Sequence, residues 1–503
     1  MVFASQAFLA FLGVVLAVYW ALSRRYERAG KAWLIAASLF FYGYWAPAYL
    51  LLLLVSIAIN FAVVQGLLGT TEPQRRSLLL TIGIALNLGL IAYYKYCAFF
   101  IESLNVVAAL DLRVPEIILP IGISFFTFQQ IGLLMDTWEG RVRGLKFWDH
   151  VFFIAFFPQL IAGPIVSQDE LLPQLGAIRR WRLEPGKLAA GAALFAVGLF
   201  KKTVLIDPFA RHVDAIYNVA ARGDPLGFLD GWAAGVGYGF QIYFDFSGYS
   251  DMAIGLAFMF GFSLPLNFFS PYKASSIRMF WRRWHVTLSR FLQKLLYIPM
   301  GGNRYGMART VAALIGTMGI GGLWHGAGWN FVIWGLLHGA FLSVNHVWIR
   351  LVLHRAGWVV DRVRASPVMS RLAYAAGVLL TFGAVSLAWV FFRAPDVHTA
   401  SRLAMAMLGL SGHSGVHWVT ESMGPKLMPY FLIVWLLPNS MQLFRRSGAI
   451  LHIEDYVGAG EASPLERWFS FRLSRAWAIG SAVIFLSGWF MMSNLSPFIY
   501  FQF

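Results

Sequence analysis

Apolar runs near the roughly 20 residues that carry a helix across a bilayer recur along the whole chain. Clear examples are Ala7–Leu22, Tyr49–Leu68, Leu78–Phe100, Leu188–Phe200, Val311–Leu323, Ala373–Phe392 and Ala478–Met492. The pattern predicts roughly 11–13 membrane-embedded segments, several too short or too glycine-rich to be simple spans. The first run follows Met1 without a basic leader or an Ala-x-Ala site, and it reads as the first span. The fold class this implies is an all-α polytopic membrane protein, organised as one membrane domain.

Composition agrees. Of 503 residues, 58% are hydrophobic and 13% charged, against roughly 25% charged in soluble domains. The net charge of +16 does not point to nucleic acid, because the basic residues cluster beside the apolar runs. Arg24, Arg25, Arg28 and Lys31 follow the first run, and Arg75 and Arg76 follow Tyr49–Leu68. Arg141, Arg143 and Lys146 come later, and Arg179, Arg180 and Arg182 soon after. The loop around Glu102–Glu116 is acidic instead. This alternation puts the N-terminus outside and the basic loops in the cytoplasm, where they face anionic headgroups of the lipid bilayer. Cys97 is the only cysteine, which excludes an internal disulfide and a multi-cysteine metal site.

No internal repeat is visible, which weighs against a transporter of paired halves. The stretch Ser167–Lys187 reads as a helix at the cytoplasmic interface, with Pro173 and Pro185 as breaks.

Ionisable groups at membrane depth are costly and mark function by default. They concentrate between Gly237 and His338. In GFQIYFDFSGYSDMAIG, Asp245 and Asp251 lie among aromatics, and Gly248 between two serines predicts a bend. These aspartates are candidate substrate-binding residues; the alternative is that they hydrogen-bond backbone or serine groups. Asn267 opens the next polar stretch, where Ser275 or Ser276 caps a helix from about Ile277. On that helix Trp281, Trp284 and Leu288 follow helical spacing. Arg282 and Arg283 offer forked donors for a phosphate or carboxylate. Interfacial anchoring explains the Trp and Arg content equally well, but not His285.

GGLWHGAGWNFVIWGLLHG, residues 321–339, places His325 in an apolar run. Flanking glycines admit close approach, and Trp324 can wall a site. Desolvation favours the neutral imidazole, the form a general base needs. In a continuous helix His338 lies about 220° around from His325, so it is secondary. H-E-x-x-H and G-x-S-x-G are both absent, and no metal site is expected.

In order, ILPIGISFFTFQQIGLLMDTWEG, FFPQLIAGPI, FKKTVLID, NFFSPYKASSIRMFWRRWHVTLSRFL, GGNRYG and GGLWHGAGWNFVIWGLLHG make the chain resemble the membrane-bound O-acyltransferase family. The similarity is to its bacterial alginate O-acetylation branch. The resemblance implies a ring of helices around a thinned central funnel. Residues 1–365 would form the catalytic core, and 366–503 would add C-terminal helices to the same membrane domain. It implies that His325, in Trp-His-Gly, is catalytic and that His285, in Trp-Arg-Arg-Trp-His, assists. The implied donor is a cytoplasmic acetyl thioester, acetyl-CoA, with no bound cofactor. The implied acceptor is an exopolysaccharide such as alginate, reached directly or through a periplasmic or membrane-anchored acetyltransferase partner at the bacterial inner membrane. Where the family usually has Arg-Asp-Tyr-Leu-Tyr, this chain has Gln293-Lys294-Leu295-Leu296-Tyr297. Alternatives are D-alanyl or other acyl transfer to a cell-wall polymer, and a transporter gated by histidines.

Overall fold

The computed structural model describes residues 1–25, 29–44, 46–161, 163–177, 184–353, 355, 357–456 and 463–494. Arg28, Arg179, Arg180 and Arg182 of the basic clusters lie outside the described residues. Helices make up most of the described residues. Among the described residues the sole strand pairing is Leu264–Pro265 running parallel to Ile450–Leu451.

Seven described helices have the length and apolarity to cross a membrane: Gln6–Ser23, Pro47–Leu68, Pro73–Ala108, Pro185–Ala221, Met307–His325, Trp329–Leu351 and Pro367–Arg393. Their outward residues are apolar, as with Leu51, Leu86 and Leu380, all at least half exposed. Such continuous apolar surface suits lipid rather than water. The all-α polytopic expectation therefore holds.

Arg76 shows what a basic cluster does at a helix end. Its guanidinium donates to the carbonyls of Leu67 (2.6 Å), Thr137 (3.1 Å) and Trp138 (2.7 Å), tying three segment ends together. Ser167–Lys187 contributes the helix Gln168–Ala177, with Pro173 inside it.

The molecule is built around the 32-residue helix Phe228–Met259, buried along almost all of its length. It runs unbroken through Gly248, so the predicted bend is absent. Gly248 serves close packing instead. A Cβ on Gly198 would lie 2.4 Å from the Gly248 carbonyl oxygen, and one on Gly191 would lie 2.5 Å from that of Gly255. Glycines seven apart on both helices let the backbones touch, which is how membrane helices gain contact without a hydrophobic driving force.

Candidate active site

The helix Met307–His325 stops at His325. Gly326 and Gly328 are extended (φ −160° and −167°), and Trp329 starts a returning helix to Val347. Space, not backbone angle, demands these glycines. A Cβ on Gly326 would lie 2.2 Å from the Phe331 ring, and one on Gly335 would lie 2.2 Å from the Met318 carbonyl oxygen. The two helices thus form a hairpin packed backbone to backbone, with His325 near its tip. Because the chain turns back, the continuous-helix geometry for His338 does not apply. Instead Trp334 sits between the two imidazoles, its ring centroid 5.0 Å from that of His325 and 4.8 Å from that of His338. Trp281 Nε1 donates to His338 Nδ1 at 3.2 Å, which leaves the proton of the neutral ring on Nε2.

His285 arrives differently. The helix expected from Ile277 through Leu288 is two short helices, Ile277–Trp281 and Val286–Leu292, the first capped by Ser276. His285 joins them in the left-handed region, at φ 40°. That conformation costs about 1–3 kcal/mol in a non-glycine residue and persists only where its surroundings over-determine it. Asn267 supplies the restraint: its carbonyl accepts from Val286 N (3.0 Å) and its Oδ1 from Thr287 Oγ1 (2.6 Å). Thr287 Oγ1 in turn accepts from Ile165 N at 3.0 Å. The break swings the buried imidazole of His285 to a centroid distance of 6.5 Å from that of His325.

Trp324 lies beside both, 4.9 Å from His325 and 6.2 Å from His285 between centroids. It stacks on Phe128 (5.3 Å), which stacks on Phe291 (4.5 Å). The far end of this stack lines a cleft of about 200 Å³, shared with Thr287, Asp136, Lys294 and Arg290. Lys294, where the resembled pattern has an acid, pairs with Asp136.

A family model described as MBOAT, membrane-bound O-acyltransferase family, matches residues 141–356, which include both histidines. A peptidoglycan O-acetyltransferase of Helicobacter pylori is 41% identical over 417 residues, 78% of this chain and 76% of that protein. The chain belongs to the membrane-bound O-acyltransferase family. A probable alginate O-acetylase of Pseudomonas putida is 37% identical, covering 81% of this chain and 80% of its own. A teichoic acid D-alanyltransferase of Streptococcus thermophilus is 26% identical over 54% of this chain. The protein is thus a multi-pass membrane O-acyltransferase.

The other predicted residues of this O-acyltransferase are placed as follows. Asp245 forms an ion pair with Lys202 at 2.7 Å, and Lys202 also reaches Asp207 at 2.9 Å. Asp251 pairs with Lys201 at 2.7 Å, and Lys201 also donates to Ser440 Oγ at 2.9 Å. Both carboxylates are thus ion-paired within the helix bundle. Arg282 is exposed and Arg283 half-buried. Trp324 and Asn267 are both within the histidine cluster or its frame.

Three contributors were not singled out from sequence. Phe392, from Pro367–Arg393, lies 5.1 Å from the His325 ring between centroids. Trp334 separates the imidazoles. Lys95 donates to the carbonyls of Trp324 and His325 (2.6 and 3.3 Å), although it sits far away in sequence. A signal for Lys95 existed: it is a lysine inside the apolar run Leu78–Phe100. Aromatic packing partners give no such signal in an apolar sequence.

Proposed function

We propose that this O-acyltransferase moves an acetyl group from a cytoplasmic thioester, acetyl-CoA, to a hydroxyl of a polysaccharide outside the bacterial inner membrane. The observation that carries the reading is the pair of buried imidazoles beside Trp324, at the end of an aromatic stack leading from a polar cleft. On this reading the cleft is the donor's approach, and Arg282 and Arg283 attract its phosphates. His325 takes the proton of the acceptor hydroxyl as the oxygen attacks the thioester carbonyl. The carbon–sulfur bond breaks, and the leaving thiolate receives the proton back from the imidazolium. His285 orients the reacting groups, and Trp324 walls them from water. Asp245, Asp251 and Asn267 serve by holding the frame rather than by touching substrate.

A thioester already leaves well, so positioning and a base suffice. Holding reactants in place contributes about 7–11 kcal/mol, and proton transfer about 10²–10⁴-fold.

The acetyl group and the polymer are supported by the relatives, named for peptidoglycan and alginate O-acetylation. An exopolysaccharide such as alginate is the first reading, with a periplasmic or membrane-anchored acetyltransferase as the partner that completes delivery. Peptidoglycan is the second, favoured by the 41% identity of the Helicobacter pylori relative. Feeding cells isotope-labelled acetate and analysing purified envelope polymers by mass spectrometry tests this. Labelled acetyl esters that depend on this chain are expected; chain-dependent D-alanyl esters in their place would overturn the reading.

A further inference from the structure

The helix that presents His325 ends in the membrane, where unpaired carbonyls are costly. Its last four carbonyls are all accounted for, and mostly from one distant turn. Gly326 N donates to the Gly322 carbonyl at 3.4 Å. Tyr96 Oη donates to Leu323 at 2.9 Å, and Lys95 Nζ donates to Trp324 at 2.6 Å and His325 at 3.3 Å. The same Nζ lies 6.0 Å from the centre of the Trp324 ring. Lys95 and Tyr96 belong to a π-helical turn, Ala92–Tyr96, within the long helix Pro73–Ala108. Such turns inside helices recur at functional sites.

Among the described residues no carboxylate pairs with Lys95. Its Nζ instead sits at the negative end of a helix dipole, where donors and cations are favoured. His285 and His338 are near His325 as well, His285 at 6.5 Å between ring centroids and His338 across Trp334. Lys95 is the one among them held on the backbone of His325 itself.

We propose that Lys95 is a positioning residue for His325: its ammonium pins the final carbonyls of the helix and so fixes where the imidazole points. Tyr96 holds the preceding carbonyl and sets the turn that delivers the lysine. The proposal rests on the reading of His325 as the base, and it predicts an effect on the direction of that ring beyond the stability lost with the two hydrogen bonds.

The test uses the purified full-length protein in lipid nanodiscs with ¹⁵N-labelled histidine, and cells carrying the same variants. In Lys95→Met the ring signals of His325, assigned with His325→Gln, shift or broaden while those of His338 stay, and the unfolding temperature falls because two carbonyls lose their donor. Polymer-bound acetyl ester falls by up to about 10²-fold, the scale of an ångström's misplacement. Lys95→Arg, which keeps charge and donors, restores both. Lys95→Gln lies between them and serves if Lys95→Met does not fold. Unmoved His325 signals, or a folded Lys95→Arg as impaired as Lys95→Met, would overturn the proposal. If His325→Ala retains acetyl transfer, the base reading fails by itself, while the ring signals still report whether Lys95 places the imidazole.

Discussion

Lys201 and Lys202 sit in a π-helical stretch, Lys201–Ile206, and each finds a carboxylate on the central helix: Asp251 for one, Asp245 for the other. Lys95 sits in a second π-helical stretch, and its partners among the described residues are carbonyl oxygens and a tryptophan face. Both regions bury ionisable groups inside a membrane protein, so rarity alone does not separate them. Ion pairing does. In the first region each lysine is met by carboxylates, and the Lys201 pair ties the central helix to Ser440 in the C-terminal part of the chain. In the second, imidazoles and an ammonium gather on a helix end, and the dipole of that end supplies the counter-charge. An ion-paired cluster holds helices together, while the imidazole cluster is packed on the rings of Trp324 and Trp334.

Three substitutions sharpen that contrast. The largest effect is expected for Lys202→Met, which strips the ammonium from both Asp245 and Asp207. Breaking a buried ion pair on one side costs about 3–5 kcal/mol, read as a lower unfolding temperature and loss of monodisperse protein. Normal stability in this variant would deny that the pairs hold helices together. Next is Gly335→Ala. Its Cβ would meet the Met318 carbonyl oxygen at 2.2 Å, so the hairpin must separate, at about 1–3 kcal/mol for such overpacking. Thermal unfolding measures it, and acetyl transfer falls with it because His325 is at the hairpin tip. The smallest effect belongs to the double variant Lys201→Met with Asp251→Leu. Removing both charges together costs less than removing either, and is often close to neutral. A double-mutant cycle on unfolding temperature checks this; a double loss equal to the sum of the singles would contradict the pairing.

Much of this was legible in the sequence because bilayer physics writes long signals. Six of the seven apolar runs fall in the seven spans; Ala478–Met492 falls on the shorter apolar helix Arg475–Phe490, and Trp329–Leu351 was not among the runs. Of the two cap candidates, Ser275 and Ser276, the structure uses Ser276. His285, His325 and Trp324 were singled out as motif residues, and the fold brings them together across 40 positions of chain. What escaped were facts created only by tertiary packing. The spacing of Trp281, Trp284 and Leu288 read as one helix, because the restraint that breaks it comes from Asn267, well outside the window. Gly248 read as a bend, since a glycine for flexibility and a glycine for contact look alike in sequence. The counter-ions of Asp245 and Asp251 lay in plain view as Lys201 and Lys202, but nothing local joins residues more than 40 positions apart. Lys294 is explained by Asp136, its ion-pair partner in the lining of the same cleft.

The central claim is that the imidazole of His325 carries the proton during acyl transfer. The direct measurement is acetyl transfer by purified His325→Ala in nanodiscs, beside its unfolding temperature. Transfer reduced by about 10²–10⁴-fold or more, with the unfolding temperature kept, is the predicted result. Transfer at the rate of the unaltered protein would contradict the account.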